Sequence, residues 1–106
     1  MIKKTVIRIW MSRPSNAYYN MSEGERNALW GKLAKKYEEL GIKTIIECKS
    51  NWSNEEWVGF GVEEFPDMGA VQMLAKFQLE ELEWPRYFIS KTYLGTPYEG
   101  AWLHLQ

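Results

Sequence analysis

An α+β sandwich, one antiparallel four-stranded sheet with two helices on a single side, is the fold class this sequence predicts. Three observations predict it. Residues 57–63, Trp-Val-Gly-Phe-Gly-Val-Glu, alternate large apolar with small or polar side chains, as a strand with two unlike faces requires. Pro66-Asp67 then stops the strand, and Val71, Leu74, Gln78 and Leu82 follow at helical spacing, with Ala75 and Phe77 widening the stripe. A strand that feeds a helix this directly is half of a βαβ unit, and the chain around it supplies the remaining elements in the order β-α-β-β-α-β.

The first strand is expected over residues 2–12. Thr5, Ile7, Ile9 and Met11 share one face and read as core; Val6, Arg8, Trp10 and Ser12 share the other. Pro14 opens a loop that carries Tyr18 and Tyr19. Ser22-Glu-Gly-Glu25 is a capping-box pattern, in which the serine hydroxyl and the glutamate carboxylate each satisfy the other's backbone amide. The helix so opened carries Leu29, Leu33, Tyr37 and Leu40 on one stripe with Trp30 beside it, and Gly41 ends it in the left-handed conformation.

The second strand is expected over residues 42–50, with Ile46 and Cys48 on one face and Ile45, Glu47 and Lys49 on the other. A polar turn over residues 51–55 leads back into the third strand. The second helix is expected from Asp67 to about residue 83, and Trp84-Pro85 ends it because a residue before proline resists helical geometry. Residues 86–94 read as the fourth strand, with Tyr87, Ile89, Lys91 and Tyr93 opposite Phe88, Ser90, Thr92 and Leu94. Residues 101–105 read as a short extra strand.

At 106 residues the chain is expected to be one domain, 1–106, that buries roughly 65% of its unfolded surface. Six Trp and six Tyr are more than so small a core hides, which assigns some rings to a pocket or a subunit interface. Thirteen basic and fourteen acidic residues leave a net charge of -1, and no basic stripe advertises a nucleic-acid partner. Cys48 is the single cysteine, so no internal disulfide and no cysteine-built metal site forms; no metal and no cofactor are expected. Arg8 breaks the apolar run near the N-terminus, and no stretch approaches the ~20 apolar residues of a membrane span. A cytoplasmic protein with no membrane partner is the expectation.

With right-handed crossovers, the element order gives the ferredoxin-like sandwich, whose second sheet face has no helices over it. The length, that order, the strand-to-helix junction Val62-Glu-Glu-Phe-Pro-Asp-Met68 and the run Leu82-Glu-Trp-Pro-Arg-Tyr-Phe88 resemble the dimeric α+β-barrel superfamily. The resemblance covers the whole chain and is architectural. It implies a homodimer packed sheet against sheet, with a cleft between sheet and helices or between subunits. It also implies cofactor-independent oxygenation or isomerisation as activities to consider. The superfamily's haem-degrading members use a helix-borne histidine ligand; the sole histidine here is His104, in the tail.

Candidate ligand-binding residues are Arg8, Trp10, Trp57, Tyr87, Lys91 and Tyr93, all assigned to the helix-free face. A cation among aromatic rings can hold an anionic or phenolic ligand by stacking and charge-assisted hydrogen bonds. Glu47, Glu63 and His104 are the candidate acid/base groups. The competing reading of the same residues is an Arg–Glu or Lys–Glu pair at a dimer seam, in a non-catalytic interaction domain. A third reading is an RNA-recognition-like module, because Val58-Gly-Phe-Gly-Val-Glu-Glu-Phe65 matches the glycine-aromatic-glycine core of the ribonucleoprotein motif. It ranks last: the basic residue and the second stacking aromatic of that motif are both valines here. Phe60 is then expected in the core, with Gly59 and Gly61 leaving space above the strand.

Overall fold

The computed structural model describes residues 5–98. Strands β1 (Val6–Pro14), β2 (Lys43–Lys49), β3 (Gly59–Phe65) and β4 (Phe88–Gly95) form one antiparallel sheet in the order β2-β3-β1-β4. Helices α2 (Glu23–Leu40) and α3 (Met68–Glu80) lie on one side of it, and two single-turn helices, α1 (Asn16–Tyr19) and α4 (Trp84–Tyr87), close one end. The fold is the ferredoxin-like α+β sandwich that the element order predicts. The expected C-terminal strand, His104 and residues 1–4 lie outside the described residues.

The helix boundaries follow their caps. Ser22 Oγ accepts from the Glu25 amide while the Glu25 carboxylate accepts from the Ser22 amide, and these bonds hold the Glu25 carboxyl below its ordinary pKa. Gly41 leaves α2 at φ 69°, a conformation that carries little cost only without a Cβ. Asp67 Oδ1 accepts from the Ala70 amide at 2.8 Å and starts α3. The expected end of the second helix is corrected: α3 stops at Glu80, Glu83 takes a left-handed φ of 49°, and Trp84-Pro85 begins a new turn. Proline suits that position, because its missing N–H would have no helical partner there.

On β1 and β3 the two faces are the reverse of the sequence expectation, whereas Lys91 and Tyr93 of β4 lie on the helix-free face as expected. Val6, Arg8, Trp10 and Ser12 pair with Phe65, Glu63, Gly61 and Gly59 on β3, and this set faces the helices. Phe65 is fully buried and packs with Val6, Leu29, Leu33, Ile42, Val71, Leu74 and Phe88. Ile7, Ile9 and Met11 lie on the helix-free face opposite Glu64, Val62 and Phe60. Phe60, expected in the core, is 36% exposed there, and Cys48 pairs with it on the same open face. The physical reason is that alternation defines two faces without saying which is covered, and the most aliphatic set of β1 is the uncovered one.

An irregularity in β2 matters for the site. The register shifts between Thr44 and Ile46, so Thr44 sits opposite Glu63 and Glu47 opposite Gly61. Without this bulge a side chain three residues on would point to the other face. With it, Thr44 and Glu47 both look toward the helices.

Candidate functional site

The helices do not close over the middle of the sheet. Between them lies a cleft of about 870 Å³, within the size range of small-molecule sites. Its floor is Arg8, Trp10 and Ser12 of β1, flanked by Thr44 and Glu47 on β2 and Ser90 and Thr92 on β4. The α2 wall presents Trp30, Leu33, Ala34, Tyr37 and Glu38; the α3 wall presents Ala75, Gln78 and Leu79. Trp84 and Pro85 of α4 close one end.

Arg8 organises the floor. Its Nη2 donates to Glu63 Oε1 and to the Tyr37 hydroxyl, each at 2.9 Å. The Glu63 side chain is 1% exposed and that of Arg8 11%. The guanidinium carbon also lies 5.2 Å from the centre of the Phe65 ring. Arg8 Nε and Glu63 Oε2 are buried without a hydrogen-bond partner, so the pair is incompletely satisfied by protein groups. Burial lifts the Tyr37 hydroxyl well above the usual tyrosine range; Arg8 pulls the other way, and the nearby Glu63 carboxylate adds to the rise. Tyr37 therefore stays a neutral hydroxyl at all ordinary pH values.

Aromatic rings build the rest. Trp10 lies flat over Gly61, where a Cβ would come within 2.6 Å of the indole ring. The space that glycine was expected to leave for a ligand or a partner sheet is taken by the protein's own tryptophan, which is thereby laid along the cleft floor. Trp30 and Trp84 meet edge to face at 5.8 Å, and Trp84 stacks on Phe88 at 4.2 Å. Trp30 Nε1 donates to the Tyr18 hydroxyl at 2.8 Å, which fixes the indole at the rim. Tyr18 thus supports the wall.

The structure brings together Arg8, Trp10 and Glu47 at the cleft, with Glu63 sealed beneath Arg8. The other candidates are elsewhere, and their assignment to one shared face is corrected. Lys91 and Tyr93 pair with Met11 and Ile9 on the opposite side of the sheet, with Lys91 Nζ 5.5 Å from the Tyr93 ring centre. Tyr87 belongs to α4, not to the fourth strand, and packs against the core under the Arg86 guanidinium. Trp57 precedes β3 and lies 5.4 Å from the Arg13 guanidinium, outside the cleft lining. His104 is outside the described residues. Tyr37, Trp30, Trp84 and Glu38 were not singled out by the sequence. A usable signal existed for Tyr37, since a hydroxyl within the stripe Leu29-Leu33-Tyr37 must find a buried partner. Among the described residues no three His, Cys, Asp or Glu side chains gather as a metal site, and no helix is long and apolar enough to cross a membrane.

Comparison with solved structures returns a likeness of fold. A crystal structure of a protein provisionally described as a chlorite dismutase, TA0507, superposes with a TM-score of 0.67 at 15% identity. The match covers 93% of this chain and 47% of that one, so this chain spans less than half the length of the protein it resembles. No family model matches the sequence, and no curated protein does. At this identity the shared property is the α+β fold.

Proposed function

We propose that this protein binds a small aromatic or hydrophobic molecule in the cleft between sheet and helices. The observation that carries the reading is the cleft itself: three tryptophans and an aliphatic wall enclose a volume that the described residues leave unfilled, over a floor with fixed hydrogen-bonding groups. Leaving so much indole surface open is costly unless something covers it for part of the time.

The binding reading extends to two further points. Glu47, exposed at the cleft mouth, is the candidate acid/base residue that reaches the cleft, whereas Glu63 is held by Arg8 away from it. Oxygenation or isomerisation without a cofactor would therefore draw on Glu47. The second point is the partner: a homodimer formed through the helix-free face, where Ile9, Ile46, Phe60, Ile89 and Tyr93 leave a continuous apolar surface in water. The non-catalytic reading, in which aromatic residues serve only the dimer, has less support, because the dimer face and the tryptophan cleft lie on opposite sides of the sheet.

The test is a fluorescence titration with the uncharged dye N-phenyl-1-naphthylamine. The wild type should enhance its emission saturably. Ala34→Phe and Ala75→Phe, which fill the cleft from its two helical walls, should remove the enhancement while the far-ultraviolet dichroism stays unchanged. Equal enhancement by the filled variants would move the ligand site off the cleft.

A further inference from the structure

We infer that the cleft selects an organic cation, a protonated amine or quaternary ammonium on an apolar body, over a carboxylate of the same shape. This rests on the proposal that the cleft is a ligand site, and it names the charge class of that ligand.

Among the described residues, the one cationic side chain on the lining is already paired. Arg8 Nη2 donates to Glu63 and Tyr37 at 2.9 Å, Nε is buried, and the guanidinium charge as a whole is balanced by the Glu63 carboxylate. A guanidinium neutralised at that distance has little field left for a ligand carboxylate. The other charged groups on the lining are Glu38 on α2 and Glu47 on β2. Both are exposed, and neither makes an ion pair or a hydrogen bond among the described residues. Among the described residues no lysine lines the cleft: Lys36 is engaged by Glu39, and Lys49, which shares the helix-side face of β2, does not reach it. The wall is thus left with two uncompensated negative charges.

The rings fit the same class. Trp10, Trp30 and Trp84 line one cleft, and the perpendicular Trp30–Trp84 pair makes an aromatic corner there. Tryptophan faces attract ammonium groups more than any other side chain's do, and acidic groups at the mouth add to that attraction. A carboxylate would meet the repulsion of Glu38 and Glu47, and among the described lining residues the one cation, Arg8, is already balanced by Glu63.

Three naphthalene probes of matched size test this by calorimetry at low ionic strength: 2-(2-naphthyl)ethyl-trimethylammonium, 2-(2-naphthyl)ethanol and 2-naphthylacetate. The ammonium should bind about tenfold more tightly than the alcohol, with the carboxylate weakest. Glu38→Gln and Glu47→Gln together should cut the ammonium's advantage over the carboxylate by about tenfold, and the preference that remains over the alcohol is the share of the indole faces. A carboxylate that binds as tightly as the ammonium to the wild type, or an ammonium-to-carboxylate ratio that the two substitutions leave unchanged, overturns the cation assignment and leaves the cleft standing as a site for neutral ligands. If none of the three probes binds, the cleft reading falls and the cation assignment falls with it.

Discussion

At the scale of single residues, Arg8 decides most. A buried Arg–carboxylate pair contributes little net stability compared with apolar replacements, but losing one partner strands the other charge. Arg8→Ala should therefore destabilise the fold by about 3–5 kcal/mol, while replacing Arg8 and Glu63 together by Met and Leu should cost far less. Urea unfolding of the two single variants and the double variant measures the coupling. Equal, additive losses would contradict the assignment of Glu63 as the charge that Arg8 compensates. This bears on how a binding loss in an Arg8 variant is read, because a weakened fold loses ligand as well.

Tyr37 carries the pH signature. Its folded pKa is raised by burial, so its stabilising contribution is complete below the ordinary tyrosine value of about 10 and is lost as pH rises from there toward the folded value. The stability advantage of wild type over Tyr37→Phe should narrow between about pH 9 and about pH 11. Parallel stability curves across that window would mean that the hydroxyl is solvated in the folded protein.

The legibility of the sequence also divides by scale. Strand and helix alternation and the three caps were readable, since they depend on spacing and on local geometry at Ser22, Gly41 and Asp67. The inward face of β1 was not. Ile7, Ile9 and Met11 are as apolar as any core, and only the pairing of Val6 with the fully buried Phe65 shows that the other set is inside. Arg8 and Glu63 were assigned to one face and do form a pair, as one reading of the sequence allowed, but inside the subunit. Lys91 and Tyr93 were joined to them on strand parity, whereas Lys91 is registered with Met11 and Tyr93 with Ile9 across β1 and β4.

At the scale of elements, α3 depends on its start. Asp67 satisfies the Ala70 amide, and the helix carries Ala70, Val71 and Leu74 into the core. Asp67→Ala should cost about 1 kcal/mol, within the usual range for losing an N-cap, and Asp67→Asn much less. Thermal denaturation of the two variants separates them, and equal losses would place the effect in charge and not in the cap. The β2 bulge is the other positional device. By bringing Glu47 to the same side as Thr44, it supplies the cleft with one of the two unpaired carboxylates among the described lining residues.

For the whole molecule, the two proposed contacts fall on opposite sides of the sheet. Its helix side holds the tryptophan-walled cleft, and its open side offers Ile9 near the centre of an apolar surface. Ile9→Lys should turn a dimer into a monomer in sedimentation while leaving affinity for a cleft ligand within about twofold, since a charge at the middle of an isologous contact meets its own copy. A wild-type monomer would remove the second copy as the cover of that face.

The claim on which the account rests is where the ligand sits, and the tryptophan indole N–H signals in a proton–nitrogen correlation spectrum report it directly. Titration with N-phenyl-1-naphthylamine should shift the Nε1 resonances of Trp10, Trp30 and Trp84, which line the cleft among the described residues. Those of Trp52, whose Nε1 donates to the Lys49 carbonyl on the exposed turn, and of Trp57, beside Arg13, should stay in place. Movement of Trp52 or Trp57 with the cleft indoles unmoved would contradict the account.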